Sequence, residues 1–151
     1  MKDLVKKATE LFIKNDFKLL QLKVYEPAVS HRIAVYIENI INFDNRYRCI
    51  KEMIPNIDCE YNKNMDREKL DREGCSMRPD ILVHSRLEKN QNLIAIEIKK
   101  HRTSNWDESK LKTLTNPNGE YHYQLGVFIY FPNNIPQYRW FIGGKEDIGH
   151  Q

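Results

Sequence analysis

Hydrophobic and polar positions alternate in two neighbouring segments near the middle of the chain. In residues 94–99, isoleucine occupies every second position, and Glu97 and Lys99 lie between these isoleucines or after the last. Because successive side chains of a β-strand point to opposite faces, this pattern predicts a strand at residues 93–99 with one apolar face and two charged side chains on the other. Residues 81–84 follow directly on Asp80 and predict a second strand. A charge on a buried strand is costly unless something compensates it.

The rest of the chain divides into further helices, strands and loops. Amphipathic spacing predicts helices at residues 3–13, 29–41 and 107–114, and apolar runs predict strands at residues 57–61, 125–131 and 138–144. Three segments lack such patterns. We expect an extended segment at residues 19–25 and a loop at residues 42–57. Residues 62–77 are dense in charges, and we expect an exposed loop there over the rim of the candidate site described below.

The length of the chain, 151 residues, is typical of a single domain. Within it we expect a helical N-terminal extension at residues 1–20, a core at residues 26–131, and a C-terminal strand and tail at residues 132–151. No internal repeat or low-complexity segment interrupts this plan.

The two central strands are expected to pair through a hairpin, because the residues between them, 85–93, are polar at their centre. A turn centred near residues 88–89 places Asp80 opposite Glu97. Directly opposed side chains have Cβ atoms about 5 Å apart, so the two carboxylates repel each other unless a cation lies between them. Hard oxygen ligands of this kind suit Mg²⁺ or Mn²⁺. Lys99 shares their face and is placed to orient or deprotonate an attacking water, or to stabilise a phosphorane.

These residues resemble a known motif. Pro79-Asp80, followed after a hairpin-length gap by Glu97-Ile98-Lys99, is similar to the signature of the PD-(D/E)XK nuclease superfamily. That superfamily includes many type II restriction endonucleases and archaeal Holliday-junction resolvases. It also includes short stand-alone proteins.

The resemblance extends over most of the chain, about residues 26–131, and includes the flanking segments 58–62 and 110–115. It implies an α/β (α+β) fold with a restriction-endonuclease-like core: a central, mixed, four-stranded sheet flanked by helices. The implied order of elements is helix, three meandering strands, helix, strand. Residues 1–20 would add an extra N-terminal helix to this core. The implied activity is that of a metal-dependent nuclease, which hydrolyses phosphodiester bonds in nucleic acid, with DNA the preferred substrate.

The resemblance also implies roles for individual residues. Asp80 and Glu97 would bind one or two Mg²⁺ or Mn²⁺ ions, and the carbonyl oxygen of Ile98 would be a further ligand. Lys99 would position the attacking water. The alternative is a nuclease-like module without activity, which binds nucleic acid or a protein partner.

Many superfamily members carry one more acidic residue on the first helix, and two positions compete for it here. Glu26 is in line with the apolar stripe of the predicted helix, whereas Glu38 lies about 120° away from it at 100° per residue. We therefore prefer Glu26 as the fourth catalytic residue. A structural alternative stays open, because an acidic residue also favours a helix N-terminus through the macrodipole.

Charge indicates the class of partner only weakly, since the net charge is +3. The segment after the predicted site is more basic, and Lys100, Arg102, Lys110 and Lys112 are candidate phosphate contacts. For any single one of these residues, a solvated helix face is the better interpretation. A domain of this size would need a homodimer or a partner subunit to read a long site.

Other classes of protein are disfavoured. The three cysteines show no CxxC spacing, which argues against a disulfide framework and a structural zinc site. No apolar run approaches the length of a membrane span, and the N-terminus lacks the pattern of a signal peptide. We therefore expect a cytoplasmic protein without membrane contact.

Overall fold

A computed structural model of the chain describes residues 1–22, 25–53, 55–64, 66–71, 73–86, 91–100 and 105–149. The helices are α1 (Lys2–Asp16), α2 (Lys18–Gln21), α3 (Glu26–Phe43), α4 (Arg48–Glu52) and α5 (Asn105–Thr115), with short 3₁₀ helices at Asn45–Tyr47 and Pro132–Asn134. The strands are β1 (Asn56–Cys59), β2 (Lys63–Asn64), β3 (Arg67–Glu68), β4 (Ile81–His84), β5 (Ile94–Lys99), β6 (Leu125–Tyr130), β7 (Gln137–Ile142) and β8 (Lys145–Glu146).

The described strands form one mixed sheet in the order β1-β4-β5-β6-β7-β8, together with a separate β2–β3 hairpin. All neighbours in the large sheet are antiparallel except β5 and β6, which run parallel. The predicted combination of a mixed sheet with a helical N-terminus is confirmed. The sheet has six strands rather than four, because β7 and β8 extend it beyond β6.

Two apolar layers cover the sheet. The isoleucines at alternate positions of β5 pack with residues of α1 and α3, including Leu4 and Ile33. On the opposite face, Ala95 packs in a second cluster with Leu111 and Leu114 of α5. The alternation that the sequence analysis identified thus directs β5 into two cores, with Glu97 and Lys99 on the side of α5.

A glycine allows α5 to lie close to the sheet. A Cβ at Gly126 of β6 would lie 3.1 Å from Thr115 Cγ2 of α5 and 3.2 Å from Phe141 Cβ of β7. These distances are shorter than ordinary van der Waals contact, so only glycine fits between helix and strands without a shift. The close approach holds the C-terminal half of α5, at Leu111 and Thr115, directly against the sheet.

Several predicted segments differ from the structure. The extended segment expected at residues 19–25 is wrong for residues 19–21, because α2 begins at Lys18 and one helical turn buries Leu20 in the core. Residues 23–24 of this segment lie outside the described residues. The loop expected at residues 42–57 instead contains a 3₁₀ helix and α4. Tyr47 is buried there, and its hydroxyl donates to Asp3 Oδ2 at 2.5 Å.

The charged segment at residues 62–77 also carries regular structure. It contains the β2–β3 hairpin and a bridge between Leu70 and Ser76, in place of the expected loop. Lys69 and Met77 within it are buried, which ties the segment to the rest of the protein. Among the described helices, none is long and apolar enough to cross a membrane.

Candidate functional site

The predicted register of the central hairpin is confirmed. Ile81 pairs with Ile96, and Leu82 pairs with Ala95. Continuing this antiparallel register by one position places Asp80 opposite Glu97. Both carboxylates therefore lie at the same end of the β4–β5 pair, on the face that α5 covers.

The side chain of Asp80 accepts a hydrogen bond from the backbone of β5. The Ile98 N–H donates to Asp80 Oδ2 at 2.6 Å. Burial raises the pKa of Asp80 to about 6, although this hydrogen bond and the charges of Lys99 and Lys110 favour the ionised carboxylate. Desolvation is therefore the stronger effect at this residue.

Glu97 is more deeply buried, with only 1% of its surface exposed. Burial raises its pKa well above the usual value for glutamate, and the negative charge of Asp80 raises it further. Two neighbouring carboxyl groups thus both resist ionisation. This is the electrostatic condition that a divalent cation relieves.

Lys110 of α5 supplies a positive charge from the protein itself. Its Nζ lies 2.8 Å from Glu97 Oε1 and 2.9 Å from Asp107 Oδ1, and the side chain is 10% exposed. Burial disfavours its charge, but Glu97 and Asp107 outweigh this effect and raise the pKa of Lys110. The structure therefore places Lys110, which was predicted as a phosphate contact, inside the carboxylate cluster.

Lys99 is held at the edge of the same cluster. Its Nζ lies 3.0 Å from Glu26 Oε2 and 3.8 Å from Asp107 Oδ2. Burial opposes the charge of Lys99, but its hydrogen bond to Glu26 and the neighbouring carboxylates outweigh this and raise its pKa. Lys99 is therefore a stable cation in this arrangement.

The structure brings Glu26, and not Glu38, to the site. Glu26 is the first residue of α3, and its Oε1 also accepts the Lys100 N–H at 3.5 Å. Glu38 is exposed and lies twelve residues further along α3, about 18 Å away at 1.5 Å per residue. Glu26 contacts Lys99 rather than the carboxylate pair.

Asp107 was not recognised in the sequence as part of the site. It is buried in the first turn of α5 and lies within ion-pair distance of both Lys99 and Lys110. The only available signal was its i,i+3 spacing to Lys110 on a predicted helix.

The residues present fit a divalent cation in part. Asp80 and Glu97 supply hard oxygen atoms, and Mg²⁺ often binds through one or two carboxylates while it keeps several waters. Within the part of the chain that the structure describes, no three His, Cys, Asp or Glu side chains form a metal-binding group. The carbonyl oxygen of Ile98 as a further ligand stays a prediction.

The remaining predicted residues lie around this cluster. Lys112 is exposed on α5, and Lys100 is half-buried directly after β5. Arg102 lies outside the described residues. The predicted phosphate contacts of these side chains stay predictions.

No family model and no curated sequence matches this chain. What the site does must therefore be inferred from its own residues.

Proposed function

We propose that this protein is a metal-dependent nuclease with a restriction-endonuclease-like core, which hydrolyses phosphodiester bonds in nucleic acid, preferably DNA. One observation carries the proposal. The half-buried carboxyl group of Asp80 and the buried one of Glu97 lie opposite each other with raised pKa values, and the cation Lys99 lies on the same face. Carboxyl groups with strongly perturbed pKa values that also face a specific charge are concentrated at functional sites.

The order of elements supports the proposal. Helix α3 is followed by three antiparallel strands, β1, β4 and β5, which are neighbours in the sheet. Helix α5 then leads to β6, which runs parallel to β5. This is the order that the resemblance to the PD-(D/E)XK superfamily implies.

In this mechanism Asp80 and Glu97 would hold Mg²⁺ or Mn²⁺, and the carbonyl oxygen of Ile98 would be a further ligand. The ion, when bound, would activate a water and neutralise the charge that develops on the phosphorane. Lys99 is a poor general base, because its raised pKa keeps it protonated. Its role is therefore to orient the water and to stabilise the negative charge of the transition state. Glu26 positions Lys99 through their 3.0 Å contact.

A second candidate function has its own support. Glu97 already has an internal counter-ion, since Lys110 Nζ lies 2.8 Å from its Oε1. The same contact would be expected if Glu97 and Lys110 formed a purely structural ion pair. A module that binds nucleic acid or a protein partner without cleaving it is therefore the alternative.

Cleavage assays distinguish the two functions. Wild-type protein is incubated with plasmid DNA, linear DNA and single-stranded RNA in Mg²⁺ or Mn²⁺, beside Asp80→Asn, Lys99→Met and the matched control Glu38→Gln. We expect cleavage by the wild type and the control, and its loss in the two site variants with folding unchanged. Cleavage retained in folded Asp80→Asn would place the activity elsewhere.

Metal binding provides a second, independent measurement. Calorimetric titration of Mg²⁺ or Mn²⁺ should show binding to the wild type that Asp80→Asn lacks. If the wild type binds no metal and cleaves nothing, even with DNA or RNA present, the binding module becomes the better description.

A further inference from the structure

A small polar cavity lies between the β2–β3 hairpin and the end of β4. Its volume is about 10 Å³, and Lys69, His84 and Tyr123 are among the side chains that line it. His84 is four residues beyond Asp80 along β4, about 13 Å away at 3.3 Å per residue. An even spacing on a strand puts both side chains on the same face of the sheet.

Lys69 is a buried cation beside this cavity, with 1% of its surface exposed. Its Nζ donates to the carbonyl oxygen of Lys63 and lies 4.7 Å from the centre of the Tyr61 ring. Among the described residues, no carboxylate forms an ion pair with it. Burial lowers the pKa of Lys69 to about 8. A buried charge without an anionic partner is costly, so an anion in the cavity would stabilise it.

Tyr123 provides a second, independent signal. Its side chain is buried, with 2% of the residue exposed, and its hydroxyl has no hydrogen-bond partner among the described residues. Buried polar atoms without a partner are rare in native proteins. The tyrosine lines the same cavity as Lys69. A buried ammonium and a buried hydroxyl therefore border one small space.

The other charges around the cavity leave it positive. The charge of Asp58 acts on Lys69, but its Oδ2 lies 3.0 Å from His84 Nε2 and 2.8 Å from Arg86 Nε. This carboxylate is thus already neutralised. Lys63 adds a further positive charge at the lining.

We propose that this cavity is an anion-binding site that accepts one oxygen atom of a phosphate group. A volume of about 10 Å³ is close to the space of a single water molecule, so one oxygen enters while the rest of the phosphate stays at the mouth. The same volume excludes a nucleobase. The Lys69 ammonium and the Tyr123 hydroxyl donate to this oxygen.

The assignment of the phosphate to a particular ligand rests on the proposed nuclease function. The distance of about 13 Å from Asp80 corresponds to about four nucleotides along the axis of one strand of B-form DNA. We therefore assign the oxygen to the backbone of the nucleic-acid substrate, beyond the scissile bond. Free inorganic phosphate has the same chemistry and is the alternative source.

The first experiment uses inorganic phosphate and does not depend on cleavage. Thermal unfolding is measured in phosphate and in chloride at equal ionic strength for wild type, Lys69→Met, Tyr123→Phe and the control Lys6→Met, which removes an exposed charge on α1. We expect phosphate to raise the Tm of wild type and Lys6→Met. Lys69→Met should show no such rise, and Tyr123→Phe a smaller one. No effect of phosphate on the wild type would mean that the cavity holds only water and would overturn the proposal.

The second experiment identifies the source. Binding of a fluorescent DNA oligonucleotide is followed by anisotropy at several salt concentrations in EDTA. We expect Lys69→Met to reduce the slope of log K against log salt by about 0.7–0.9, the value for one lost phosphate contact, relative to Lys6→Met. Equal slopes, with the phosphate effect intact, would reassign the site to free phosphate. If Lys69→Met shows the reduced slope but the wild type cleaves no nucleic acid, the anion site is supported and the nuclease proposal fails.

Discussion

Replacing Asp80 by asparagine should make the metal-free protein more stable. Asparagine keeps an oxygen that accepts the Ile98 N–H, which lies 2.6 Å from Asp80 Oδ2. The substitution removes the buried negative charge and its repulsion of Glu97. The expected gain depends on pH, because it exists only where the Asp80 carboxyl is ionised.

The magnitude follows from the pKa of Asp80, which burial raises from 3.8 to about 6. Below 3.8 both states are protonated, and the carboxyl costs nothing. Between 3.8 and about 6 the folded state holds a proton that the unfolded state has lost, so this group lowers the free energy of unfolding as the pH rises. The loss is about 1.4 kcal/mol per pH unit, or about 3 kcal/mol in total, and it is constant at higher pH.

Chemical denaturation in EDTA across this pH range measures the difference between Asp80→Asn and the wild type. The difference should be near zero in acid and should grow to about 2–3 kcal/mol in favour of the variant above pH 6. Glu38→Gln is the matched control, since it removes an exposed carboxylate from α3 and should leave the pH profile unchanged. Taking the difference cancels the carboxyl groups that do not interact with Asp80, whereas Glu97 adds to the gain because the substitution removes its repulsion by Asp80.

Addition of Mg²⁺ should offset this difference in stability. A ligand at one hundred times its Kd stabilises the folded state by about 2.7 kcal/mol, and only the wild type should gain this. If Asp80→Asn is no more stable than the wild type above pH 6, and both show the same pH profile, the carboxylate pair is not strained as described.

Three further predictions concern the residues around the pair. Lys110→Met leaves Glu97 buried without its cation and should lower the free energy of unfolding by about 3 kcal/mol. The loss should be smaller in acid, where Glu97 is protonated. Urea denaturation at two pH values measures both effects. Gly126→Ala places a Cβ 3.1 Å from Thr115 Cγ2 and should lower the free energy of unfolding by about 1–3 kcal/mol, measured by urea denaturation. An unchanged stability would show that α5 shifts freely. Glu26→Gln should change stability by less than about 1 kcal/mol, because its contact with Lys99 is partly exposed, yet it should slow cleavage; unchanged cleavage would remove Glu26 from the mechanism.

Strong patterns explain which parts of the fold could be predicted. Strand β4 matches its predicted bounds, and β5 differs by one residue, because alternation and a long apolar run indicate both type and position. Helices α2 and α4 were missed, since segments of four and five residues carry too little periodicity. Tertiary contacts stabilise them, such as the burial of Leu20.

At the site, too, features with a sequence pattern could be predicted, and features that depend on tertiary contacts could not. The opposition of Asp80 and Glu97 could be predicted because a one-residue slip would reverse the faces of both strands. The contact between Lys110 and Glu97 could not, because it depends on how closely α5 lies on the sheet, which Gly126 determines. The cavity beside Lys69 joins segments far apart in the sequence, so no local pattern indicates it.

The hydrogen bond from the Ile98 amide to Asp80 gives the protein an internal reporter. This amide bonds to the side chain whose ionisation and metal binding determine the chemistry of the site. Its nuclear magnetic resonance signal should therefore move as Asp80 titrates, and move again when a cation takes its place beside that carboxylate. Occupancy of the site can thus be followed in solution at a single backbone nitrogen, without a substrate and without a label on any side chain.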